Sequence, residues 1–217
     1  MRGWDDLVLM SDDAVASVPV VECGESLVDS AGRVPFDGRE DDGSGAARNL
    51  RQTVLDRLAD AAAYLPADLR LVLNEGYRPP SLQCEYFEGY AARLRRDHPC
   101  AEDGEIRRLA SRFVSPPEIA PHGTGAAVDV LLTAPDGAEL DLGCPIDTSP
   151  EDSGGRCYTD HPDVQGEARR LRRELVGAMS RAGLVNYPTE WWHWSYGDRY
   201  WALVAGEPHA LFGPLDR

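Results

Sequence analysis

The stretch Pro121-His122-Gly123-Thr124-Gly125-Ala126-Ala127-Val128-Asp129-Val130-Leu131-Leu132 decides how this chain is read. Its second half is small, branched and apolar, the composition of a strand. Its first half holds two glycines, which permit a tight turn. On a strand beginning at Ala126, Asp129 faces the same way as Ala127 and Leu131. A carboxylate among apolar neighbours costs several kcal/mol unless it is paired or bound to a metal. The turn lets His122 converge on Asp129. Spacing alone also fits a structural histidine and a paired aspartate.

Upstream, residues 69–80 read LRLVLNEGYRPP. Leu69, Leu71 and Leu73 alternate as in a strand, which Pro79 and Pro80 end. Leu50, Val54, Leu58, Ala62 and Leu65 recur near helical spacing and predict an amphipathic helix stopped by Pro66. A second helix is expected with Leu82, Tyr86, Tyr90 and Leu94 on one face, and a third with Ile106, Leu109 and Phe113. A short strand at 18–22 and a Gly- and Asp-rich loop at 37–45 precede them.

Downstream, residues 133–163 are acidic and lack periodicity, and loops this long are commonly functional or disordered. Ala168, Leu171, Leu175 and Met179 predict a fourth helix with Gly183 as its C-cap. Residues 184–187, 190–196 and 199–204 read as strands, with Gly197-Asp198 as a two-residue hairpin turn. Helices first and a hairpin last give an α+β class, a largely antiparallel sheet packed with helices. With 217 residues and no repeat, a single domain over 1–217 is expected, its motif-bearing core at about 69–204.

Asp and Glu number 37 against 22 basic residues, a net charge of −15. Binding a phosphate backbone needs a Lys and Arg footprint, so no nucleic-acid partner is expected, and no anionic membrane surface. Every basic residue is Arg, which excludes a Lys nucleophile or a P-loop lysine. No apolar run of about 18 residues exists, and the first residues lack a secretory pattern. Cys23, Cys84, Cys100, Cys144 and Cys157 are widely spaced and form no CxxC. Reduced thiols in a cytoplasmic protein are the expectation, with a Cys144–Cys157 disulfide as the alternative.

Of the five histidines, His98, His161 and His209 lie outside any ligand pattern and are expected to face solvent. His193 ends Glu190-Trp191-Trp192-His193. In a regular strand residues three apart point to opposite faces. Glu190 and His193 serve one site only if the backbone turns there or a metal sits at the strand end. Otherwise the stretch is a core strand with a satisfied histidine, and Trp191, Trp192 and Trp194 are expected to pack around the hairpin. Arg78, where an apolar strand turns, reads in isolation as a surface residue or the partner of a structural carboxylate.

Taken in order, Gly76-Tyr77-Arg78-Pro79, the HxxGxAxD pattern from His122 to Asp129, and Glu190-Trp191-Trp192-His193 resemble one family. It is the zinc D-Ala-D-Ala dipeptidases of the vancomycin-resistance (VanX) type, within the group sharing a hedgehog-like peptidase fold. The resemblance spans residues of roughly 69 to 200. It implies one Zn2+ per chain held by His122, Asp129 and His193, with Glu190 as general base and Arg78 stabilising the transition state. It also implies that Asp147, in Leu142-Gly143-Cys144-Pro145-Ile146-Asp147, helps hold the substrate's amino group. The implied activity is hydrolysis of D-Ala-D-Ala or a similar short free dipeptide by metal-activated water. Ala120 stands where the family carries a serine that helps recognise substrate. Three alternatives stay open: a hydrolase retuned to another small peptide or amide, a cell-wall peptidase acting on longer muropeptides, and an inactive zinc-containing binding domain.

Overall fold

Residues 7–39 and 41–215 are described by a computed structural model. The first six residues, on which part of the leader reading rests, lie outside the described residues, as does residue 40 of the 37–45 loop. The elements are α1 (Asp13–Ala16), β1 (Leu27–Asp29), β2 (Asn49–Arg51), α2 (Gln52–Tyr64), β3 (Arg70–Glu75), α3 (Pro80–Asp97) and α4 (Asp103–Ala110). After a 3-10 turn at Pro121–Thr124 come β4 (Ala127–Thr133), α5 (Pro150–Ser153), α6 (Gly166–Arg181), β5 (Val185–Asn186), β6 (His193–Ser195) and α7 (Arg199–Ala205).

The class is α+β, as expected. The main sheet has four strands in the order β3-β4-β6-β5, and every neighbouring pair is antiparallel. Strands β1 and β2 form a separate antiparallel pair. Register divides the main sheet into two faces. On one, Leu71 lies opposite Leu132, Leu73 opposite Val130, and Val128 opposite Trp194. These buried side chains share a core with Leu55 and Leu58 of α2 and with Leu171, Leu175 and Met179 of α6. Each such side chain contributes about 1.5–3 kcal/mol by leaving water. The other face carries Val72 and Leu131, then Asp129. Helices α3 and α4 build a second cluster from Phe87, Tyr90, Ala91, Leu94, Ile106, Ala110 and Val114.

Several local expectations are corrected. Residues 199–204 are helical, not a strand, and Gly197-Asp198 is no hairpin turn. Asp198 is the N-cap of α7, its carboxylate accepting the backbone N–H groups of Tyr200 and Trp201 at 3.2 and 3.0 Å. Gly206 closes the helix in the left-handed region. Aromatic and branched residues made the segment look extended, yet the capping aspartate and glycine prevail over that weak preference. The strand expected at 190–196 shrinks to His193–Ser195, because the N–H of Trp191 donates to Cys157 and that of Glu190 to Tyr187 instead of a ladder partner.

The strand expected at 184–187 is two residues long, and residues 18–22 make only an isolated bridge from Val20 to Ala210. In α3 the buried stripe runs through Gln83, Phe87, Tyr90, Ala91 and Leu94, while Tyr86 is turned towards a cavity. Cys144 and Cys157 are buried but unbonded, so the alternative disulfide is not formed. His98 is exposed, but His161 and His209 are half-buried. No helix among the described residues is long and apolar enough to cross a membrane.

Candidate metal centre and active site

Strand β4 sits between β3 and β6, and register places Glu75 opposite Asp129 and Asp129 opposite His193. Three polar side chains thus form a row across a sheet that is otherwise apolar at this level. A bulge makes the row. Leu73 pairs with Val130, but the next β4 residue, Asp129, pairs with Glu75, leaving Asn74 as the extra residue. A bulge sets two residues against one and re-aims their side chains.

His122 reaches the row from the preceding 3-10 turn. Gly125 ends that turn at a φ of 70°, where a Cβ would meet Leu27 Cδ2 at 2.3 Å. Both constraints require glycine. The buried Arg51 braces the turn by donating Nε–H to the Thr124 carbonyl at 2.8 Å. His122 Nδ1 lies 2.7 Å from the Gly76 carbonyl, which only an N–H can satisfy, so its Nε2 lone pair faces the row. Gly76 permits this approach, since a Cβ there would meet the Asn49 carbonyl at 2.6 Å.

The remaining distances are short. His193 Nδ1 lies 2.9 Å from Asp129 Oδ1 and 3.2 Å from His122 Nε2, and His122 Nε2 lies 3.3 Å from Asp129 Oδ2. One nitrogen or oxygen atom from each of the three, suited to ligate a metal, lies within 4.8 Å of the other two, and all three residues are buried. Burial alone would raise the Asp129 carboxyl, but the two imidazoles outweigh it and hold it well below the usual carboxylate range. His193 is pushed down by burial. His122 is pushed down by burial too, but the nearby Asp129 charge turns the net shift upward. Two imidazole nitrogens and a carboxylate fit a divalent metal with a further position for water. The carbonyl partner of His122 is the outer hydrogen bond that metal-ligating histidines ordinarily make.

A cavity of about 270 Å³ opens over the row. Glu190 lines it from the turn before β6, its Oε2 3.9 Å from His193 Nδ1. That turn is what lets two residues three apart face one site. Burial, then the charges of Asp129 and Asp147, push the Glu190 carboxyl well above its ordinary range, and Arg78 opposes them. Arg78 donates Nε–H to Glu75 Oε1 at 2.7 Å, a second bond to Glu75 Oε2, and Nη1–H to Gln83 Oε1 at 2.8 Å. Gln83 in turn donates to the Ser115 carbonyl at 2.7 Å. The guanidinium is thus held as a rigid charged fork. Asp147 lines the cavity from the 133–163 loop and accepts a hydrogen bond from Asn74 Nδ2 at 3.1 Å. That loop is gathered by the buried Arg172, which donates to the carbonyls of Leu142, Arg156, Tyr158 and Thr159.

All six residues singled out in the sequence therefore meet at one cavity: His122, Asp129, His193, Glu190, Arg78 and Asp147. Trp191 and Trp194 are packed in the core as expected, while the buried Trp192 also lines the cavity. Sequence reasoning missed Glu75 and Gln83, which hold Arg78, and the wall of Tyr86, Tyr90, Phe113 and Val114. Only Glu75 left a signal, an acid three residues before an arginine beside a turn. The arrangement can bind a divalent metal, hold one carboxylate beside it as a base, and offer a fixed cation to a developing negative charge.

The family model described as D-ala-D-ala dipeptidase matches residues 33–209. A D-alanyl-D-alanine dipeptidase from Synechocystis sp. is 28% identical over 233 residues, covering 89% of this chain and 90% of that protein. Among solved structures, the vancomycin resistance D,D-pentapeptidase VanY of a VanB-type cassette, in complex with Zn(II), is similar at a TM-score of 0.41 and 14% identity. That match covers 90% of this chain and 96% of the other. The LdcB LD-carboxypeptidase is similar at a TM-score of 0.39 and 21% identity, over 86% and 76% of the two chains.

Proposed function

The chain belongs to the D-ala-D-ala dipeptidase family of peptidases, and from that premise we propose that it is a single-domain zinc dipeptidase acting on D-Ala-D-Ala or a similar short dipeptide with a free amino end. The observation that carries this reading is the convergence of His122 Nε2, Asp129 and His193 Nδ1 at the floor of a cavity that also holds Glu190 and Arg78. Zinc is the metal that suits two imidazoles, one carboxylate and an open position, and bound there it lowers the pKa of its water towards about 7.

The chain's own residues do the rest. Glu190, buried beside the ligands, accepts the proton of the attacking water and passes it to the leaving amine. Arg78, fixed by Glu75 and Gln83, faces the oxyanion that grows on the scissile carbonyl. Asp147, at the rim, pairs with the substrate's α-ammonium. His122, Asp129 and His193 stay unprotonated to serve as ligands. The five unpaired thiols suit a reducing compartment, in this reading the cytoplasm.

The test assays metal-stripped and zinc-reloaded protein on D-Ala-D-Ala, L-Ala-L-Ala and N-acetyl-D-Ala-D-Ala. Hydrolysis of free D-Ala-D-Ala is expected to require zinc and to exceed that of the acetylated form by about tenfold or more, the worth of one charge-assisted hydrogen bond. Activity untouched by stripping, or a fully loaded protein that cleaves no short peptide, would overturn the reading.

A further inference from the structure

One buried polar group beside the cavity has no part in the chemistry above. Asn74 is fully buried and is the extra residue of the bulge in β3. Its Nδ2–H donates to Asp147 Oδ2 at 3.1 Å, while its own Oδ1 is enclosed without a hydrogen-bond partner. A buried carbonyl oxygen lacking a donor is destabilising, and a leucine of similar size would avoid the problem. For packing alone, asparagine is the poorer residue here. What it supplies is a donor aimed at Asp147.

Asp147 is a carboxylate that benefits from a tether. With a φ of 58° it is the one non-glycine residue of positive φ among the described residues. Such a conformation persists only where its surroundings hold it. A neutral donor is also the right chemistry. An acid at position 74 would repel Asp147, and a base would neutralise it before any substrate arrived.

We propose that Asn74 is a positioning residue that sets the Asp147 carboxylate over the cavity, so that the bulge in β3 determines selectivity for substrates with a free α-ammonium. This rests on the reading of Asp147 as the partner of that ammonium. The bulge then does two things at once. Its second residue, Glu75, aligns Arg78, and its first, Asn74, aligns Asp147.

The test measures kcat and KM on D-Ala-D-Ala and N-acetyl-D-Ala-D-Ala for the parent chain, Asn74→Leu, Asp147→Asn and the double variant, with zinc content and Tm for each. Asn74→Leu is expected to raise KM for the free dipeptide about tenfold, the loss of one aligned charge interaction. Its kcat, zinc content and rate on the acetylated form should stay close to the parent, and its Tm should hold or rise. The double variant should lose no more selectivity than Asp147→Asn alone, since both act through one carboxylate. If Asp147→Asn abolishes the preference for a free amine and Asn74→Leu does not, the inference fails while the ammonium reading stands. If Asp147→Asn leaves the preference intact, both fall. Should Asn74→Leu lose zinc or fail to fold, Asn74→Ala is read for the same selectivity ratio, and an unchanged ratio there rejects the proposal.

Discussion

At the residue scale the site turns on how four carboxylates share one cavity. Asp129 is flanked by two imidazoles and stays ionised, whereas Glu190 is buried among other acids and holds a proton more readily. This separation is consistent with the proposed division of work, in which Asp129 is a metal ligand and Glu190 a base able to give its proton back. Glu190→Gln should therefore keep its zinc and lose about 10²–10⁴ in kcat, the range for a positioned base. Loss of metal instead would make Glu190 a ligand. The pH dependence follows with a definite sign. As the proposed base Glu190 would work unprotonated, so kcat/KM is expected to fall as pH drops through its pKa, which burial and acidic neighbours place above the usual value of about 4.3. Asp147→Asn removes one of those charges and should move the acidic limb to lower pH. A limb that stayed put, in a pH–rate profile of that variant, would assign it to another group.

At the element scale the decisive features sit where elements begin and end. The Pro121–Thr124 turn presents His122, the bend before β6 presents Glu190, and the bulge in β3 presents Glu75. Helix α7 shows the same dependence on a terminus. Ser195 Oγ–H donates to Asp198 Oδ1 at 2.7 Å, tying the cap of α7 to the end of β6, two residues from His193. Asp198→Ala should lower stability by about 0.5–2 kcal/mol as a lost N-cap. In a chain of this size that is a Tm drop of about 2–4 °C per kcal/mol, read by calorimetry. An unchanged Tm would mean the cap contributes nothing and that packing of Trp201 and Ala202 against Val18 and Ala210 alone holds the helix.

At the scale of the whole molecule, two of the proposed ligands, His122 and Asp129, lie seven residues apart and the third, His193, lies 64 residues beyond Asp129, so a metal bound there would cross-link β4, β6 and the turn before β4. Binding that is specific to the folded chain stabilises it by mass action, about 2.7 kcal/mol at a hundredfold excess over Kd. Zinc should accordingly raise Tm by about 5–11 °C over the chelated protein. His193→Ala should abolish that rise. A zinc-dependent shift persisting in that variant would place the metal elsewhere. Two buried arginines hold the surrounding frame. Arg172 collects the 133–163 loop, and Arg51 joins the Thr124 carbonyl to Glu22 and the Gly213 carbonyl. The long loop is thus an ordered carrier of Asp147.

The residues that meet at the cavity were legible in the sequence wherever chemistry makes a side chain costly in its local context. Asp129 on an apolar strand stands out by its cost alone, whereas the spacing of His122, Glu190 and His193 also fits structural residues, and their roles, with those of Arg78 and Asp147, were legible only through the resemblance of the ordered motifs to a known family. The α+β class was legible too, because periodicity and prolines mark β3, β4, α2 and α6 within short windows. What only the tertiary structure decided was alignment. Whether Asn74 or Glu75 faces Asp129 depends on one inserted residue in a ladder whose partners lie more than fifty positions apart. Whether 199–205 is strand or helix depends on a cap and on Trp201 finding its place against Val18 and Ala210. Gln83, Tyr86 and Phe113 become neighbours of the site only because α3 and α4 pack beside it. Local composition sets what a residue can do, but register, capping and long-range burial choose between states of similar local energy, and those free energies exist only once the chain has closed on itself.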